Sequence, residues 1–166
     1  MSTNLYIRAM NWIIRKTAKM DFHTNLKAIL SPIKDEIKQL DWLISDLEYN
    51  NIYRVENLPV DYDHDYFLLP AEQFDRLVAA DMQIIWAVIL GIPETHATTV
   101  DLENLPYADC NAEVWKNGCI QHPDAIIEII CFDSSCTILK FKDQALSDKF
   151  KTHFDEAKEL EPISKH

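Results

Sequence analysis

The apolar positions change period along the chain, and the changes mark the elements. Leu26, Ile29, Leu30, Ile33, Ile37 and Leu40 recur at three- and four-residue intervals, which places them on one helical face. A helix is expected near 24–38. Ser31-Pro32 is a place where it could divide, since proline suits a first turn and not an interior. Residues 40–48 fit both periods. We read a strand, because a sheet built around the hairpin described next needs partners. Residues 82–92, MQIIWAVILGI, are apolar without alternation and rich in β-branched residues, as in a strand covered on both faces.

Residues 125–142 read as a hairpin, with strands at 126–132 and 136–142 joined by Asp133-Ser134-Ser135. Only Glu128 interrupts the first strand. A buried Glu there needs a partner, and Lys140 on the neighbouring strand is available. Lys140 and Lys142 share a face of the second strand, which points to partial exposure and an edge position protected by charge.

Two further helices are expected. One runs near 71–80, opened by Pro70-Ala71-Glu72 with Phe74, Leu77 and Val78 inward. The other runs near 144–154, capped by Asp143 with Leu146, Phe150 and Phe154 four apart. Between these elements, 52–65 is a polar loop with a short strand over 52–55, and 66–69 is a brief apolar run ending at Pro70. Residues 93–124 form a long irregular connection with one helical turn around 112–116. A loop of that length is uncommon unless functional or mobile. The fold class is therefore α+β, a mainly antiparallel sheet with helices packed against it.

Charge changes the picture at the N-terminus. Residues 1–19 contain Arg8, Arg15, Lys16 and Lys19 and no acid; residues 20–166 hold twelve Lys and Arg against twenty-seven acids, a net −15. We divide the chain into a basic extension or extra helix (1–19) and a single acidic α+β domain (20–166). Leu5, Trp12, Ile13 and Lys16 give 1–19 loose helical amphipathicity. Besides an extra helix, a membrane-surface segment and a start at Met20 are open readings. The segment is too short and too charged to span a bilayer. Nucleic acid is not an expected partner, since phosphate affinity comes from Lys and Arg. A basic protein partner is. With no secretory signal, reduced thiols and a cytoplasmic location are expected.

Candidate chemistry is sparse. Two glycines in 166 residues leave no Gly-rich phosphate loop, and no cofactor or catalytic constellation is expected. Counted from Asp61, acids Asp61, Asp63, Asp65 and Glu72 fall at positions one, three, five and twelve of an EF-hand loop, but position six is Tyr66 instead of glycine. The alternative to a binding role is a small metal-binding protein or enzyme using Asp61, Asp63 and Asp65, or using Cys110, Cys119 and His122 in the long connection. Cys131 and Cys136 would face each other, and could form a disulfide, only if Asp133-Ser134 forms the hairpin loop. Partner-binding candidates are Asp61, Asp63, Asp65 and Trp115, which sits beside Lys116 and Asn117 in the irregular region. The profile resembles that of bacterial immunity or antitoxin-type proteins, which implies a non-catalytic protein that binds a basic partner. Homo-oligomerisation through an exposed strand edge is a third reading.

Overall fold

The computed structural model describes residues 10–15, 17–51, 53–80 and 82–160. Seven strands form one antiparallel sheet: β1 (Asn11–Ile14), β2 (Leu40–Asn50), β3 (Tyr66–Leu69), β4 (Gln83–Pro93), β5 (Ile127–Phe132), β6 (Cys136–Phe141) and β7 (Lys158–Glu159), in the order β3-β2-β4-β5-β6-β1-β7. Three helices lie on one face: α1 (Leu26–Leu30), α2 (Ala71–Ala79) and α3 (Gln144–His153). The α+β expectation and its four central strands hold. No described helix is long and apolar enough to cross a membrane.

Each strand alternates sides, so the sheet has two cores. Trp42, Ile44, Ile89, Ile127, Ile129 and Leu139 meet Ile29, Ile33, Phe74, Leu77 and Phe150 from the helical side. Trp42 stacks on Phe74 with ring centroids 4.0 Å apart. On the other face Leu43, Val88, Leu90, Ile130 and Ile138 lie beneath Ala108, Val114 and Ala125. Residues 94–125, irregular apart from a 3-10 turn at Ala112–Trp115, therefore act as a lid on a second core. The unbroken apolar run of β4 follows from this, because both its faces are covered.

Several expectations need correction. Asn11–Ile14 is a strand between β6 and β7, not part of a helix or of an extension outside the fold. Ile13 enters one core and Ile14 the other, which is period two. Trp12 Nε1 donates to Ser147 Oγ of α3 at 2.9 Å, and Lys19 pairs with Asp155 at 3.1 Å. Residues 1–9 lie outside the described residues. The 24–38 helix is cut to α1 and a 3-10 turn at Ser31–Ile33, where Pro32 takes an early position. Residues 66–69 are a strand, whereas 53–55 are not; residue 52 lies outside the described set.

The hairpin differs most in its second strand. β6 is internal, flanked by β5 and β1, and Lys140 is 0% exposed. Glu128 is directly opposite in register, also 0% exposed, with Oε1 3.6 Å from Lys140 Nζ. The lid completes the pair: Gln121 N–H donates to Glu128 Oε2 at 2.7 Å, and Lys140 donates to the carbonyls of Cys119 (2.6 Å) and Glu113 (3.0 Å). The loop spans all of Asp133-Ser134-Ser135, with positive φ at Asp133 and Ser134. Cys131 consequently faces Thr137, and Phe132 faces Cys136. The two thiols lie in different cores and are free.

Candidate functional site

β2 runs regularly to Ser45, and then its pairing with β4 slips. Asp46 takes φ +56°, a left-handed conformation that Asp tolerates better than most residues. The bulge turns two side chains towards the lid. Ser45 Oγ donates to the Pro106 carbonyl at 2.6 Å, and Asp46 Oδ2 accepts the Ala108 N–H at 2.9 Å. These bonds hold the 105–108 segment beside the end of β2, leaving Tyr107 50% exposed.

The loop before β3 forms the opposite wall. Asp61 accepts from the Asp63 N–H at 2.9 Å and pairs with His64 Nδ1 at 2.8 Å. Those hydrogen bonds hold its carboxyl below the usual carboxylate range. The Tyr62 hydroxyl meets the Tyr49 hydroxyl of β2. Partial burial, together with that contact, raises the Tyr49 phenol above its ordinary value.

Between the walls is an open cleft of about 900 Å³. Its lining includes four acids (Asp46, Glu48, Asp61, Asp65) and three tyrosines (Tyr49, Tyr62, Tyr107), with Leu47, Val60, Leu105 and Pro106 beneath, and neither Lys nor Arg. No protein-family model, curated protein or solved structure matches this chain. Chemical reading of the cleft therefore rests on its own geometry.

The sequence candidates separate on the structure. Asp61 and Asp65 line the cleft; Asp63 is exposed on the same loop. Trp115 is not among the lining residues. It is half-buried over the second core, 4.8 Å from the Phe132 ring, with the Arg15 guanidinium 5.9 Å from its own ring. Cys110, Cys119 and His122 do not converge, and among the described residues no group of three or more His, Cys, Asp or Glu side chains could hold a metal. Asp109 pushes the Cys110 thiol up, and burial and Glu113 do the same for Cys119, the reverse of what a nucleophile needs. His122 is buried; its Nε2 contacts the Thr99 carbonyl (2.7 Å) and its Nδ1 accepts the Asp124 N–H (3.1 Å), so it braces the lid. Asp46, Glu48, Tyr49 and Tyr107 were not foreseen. The available signal is the occurrence of acids beside tyrosines at 46–49 and again at 61–66.

Proposed function

We propose that this protein is a non-catalytic binding module whose cleft takes a Lys- or Arg-bearing segment of another protein. The observation that carries the reading is the lining itself: four carboxylates and three tyrosine rings with no Lys or Arg among the described lining residues, the one histidine, His64, being paired with Asp61. Carboxylates give charge-assisted hydrogen bonds to guanidinium and ammonium groups, and tyrosine faces attract the same cations. The net charge of −11 adds long-range attraction for a basic protein. An immunity- or antitoxin-like inhibitor of a basic protein is the narrower form of this reading.

The test is calorimetric titration with an Arg- and Lys-rich peptide at low and at physiological salt. Reversal of three lining acids (Glu48→Lys, Asp61→Lys, Asp65→Lys) is expected to weaken binding by about 100-fold or more, since close charge pairs couple by about 1.5 kcal/mol or more each. Reversal of an exposed acid elsewhere, Asp21→Lys, is expected to have little effect. Equal losses in both variants would show general charge attraction with no role for the cleft. Absence of binding even at low salt would remove the proposal.

A further inference from the structure

Resting on that reading, we propose that the basic partner docks as an extended strand along the free edge of β3, extending the sheet. Among the described strands β3 ends the sheet and pairs with β2 alone. In an antiparallel pair, alternate residues turn their N–H and C=O groups away from the neighbour. Among the described residues no other segment exchanges main-chain bonds with Tyr66–Leu69.

The two edges of the sheet are built differently. β7 has only two residues, the exposed and charged Lys158 and Glu159, a short edge blunted by charge. β3 is Tyr-Phe-Leu-Leu, without a Lys, a Pro or a bulge, and Leu68 is 44% exposed. Its four-residue length is the one usual protection within this strand, which no charge, proline or bulge blunts further.

A groove runs beside that edge. Tyr66, Phe67, Leu68 and Leu69 form one side; Leu58, Pro59, Val60 and Asp61 form the other, with a volume of about 470 Å³. It shares Val60, Asp61, His64 and Phe67 with the acidic cleft, so one chain could occupy both. Strand addition of this kind takes affinity from main-chain bonds and specificity from alternate side chains. Charge identifies the occupant. No Lys or Arg lines the groove, and Asp61, Asp63 and Asp65 precede the strand. A second copy would bring another chain of net charge −11 against this edge, whereas a segment alternating basic and apolar residues places cations by the loop and apolar groups by Leu68.

The experiment compares two peptides of equal length and charge, one alternating Lys and Val and one alternating Lys and Gly. The Lys–Val peptide is expected to bind at least about ten-fold tighter and to slow hydrogen exchange at the amides of 66–69, as strand addition requires. N-methylation of alternate residues on its pairing edge should abolish the advantage. Leu68→Gln, which removes the exposed apolar contact without adding a like charge, should lower the Lys–Val to Lys–Gly affinity ratio several-fold. Equal binding of both peptides, without protection at 66–69, overturns strand addition and leaves the cleft reading standing. Failure of both peptides at low salt overturns both. Protection of 66–69 without peptide, together with a dimer in sedimentation, assigns the edge to a second copy and also overturns the proposal.

Discussion

Glu128 and Lys140 show what a buried charge does in this molecule. Their geometry satisfies most of the polar atoms, and it uses the backbone of the lid to do so. Lys140→Met would leave Glu128 buried without its counter-charge, and we expect a loss of about 3–5 kcal/mol in urea unfolding. Adding Glu128→Gln should recover part of that loss. Gln still accepts the Gln121 N–H, but the carbonyls of Glu113 and Cys119 stay without their donor. The pair also has a pH signature. Burial raises the Glu128 carboxyl above 4.5, against the pull of Lys140, so the folded state holds that proton more tightly than the unfolded chain does. Its contribution is greatest below about 4.5 and falls as pH climbs through the raised value. Burial lowers Lys140 from 10.5, so its contribution recovers as pH rises towards 10.5. Wild-type stability minus that of the Glu128→Gln/Lys140→Met variant should therefore trace a trough between these limits.

At the level of elements, β4 is covered on both faces, and Gly91 is a point of close approach within it. A Cβ at Gly91 would lie 2.6 Å from Ile127 Cγ2, 2.9 Å from Leu40 Cδ1 and 3.1 Å from Trp42 Cη2. Gly91→Ala should cost about 1–3 kcal/mol by overpacking, seen as a lower urea midpoint with an unchanged slope. The same packing explains what could be read beforehand. β4, β5 and β6 are long enough for apolar content to declare them, β2 fits both periods and is read from the sheet's need for partners, and the Glu128–Lys140 partnership follows from the hairpin. β1 and β3 have four residues each, too few to establish a period. In β1 the neighbours Ile13 and Ile14 are both buried, on opposite faces, which a linear pattern cannot distinguish from a helical stripe. Lys140 was misplaced for a related reason: its partners in the lid are backbone groups, and those leave no trace in residue identity. The acidic loop at 61–65 was visible as composition. The cleft was not, because Glu48, Asp61 and Tyr107 meet only through the bulge at Asp46 and its hold on the lid.

Across the whole molecule, the lid and the helices cover both faces of the central strands β5 and β6 and most of β4, and the thiols report this directly. Cys110 is exposed, Cys119 half-buried, and Cys131 and Cys136 are buried in opposite cores. Alkylation followed by mass spectrometry should modify Cys110 first and Cys119 next. Cys131 and Cys136 should react only as fast as the protein opens globally. Rapid native labelling of Cys136 would mean that the lid lifts independently of the sheet.

The place of β1 sets an order of events. It sits between β6 and β7, so that Ile14 pairs with Thr137 and Trp12 with Glu159. Neither partner exists while a ribosome is still making the lid. β1 must wait unpaired until β6 has been made, and its pairing then closes the longest loops among the described strands. Such non-local pairing slows folding. β7, whose partner among the described strands is β1, can join the sheet only through it.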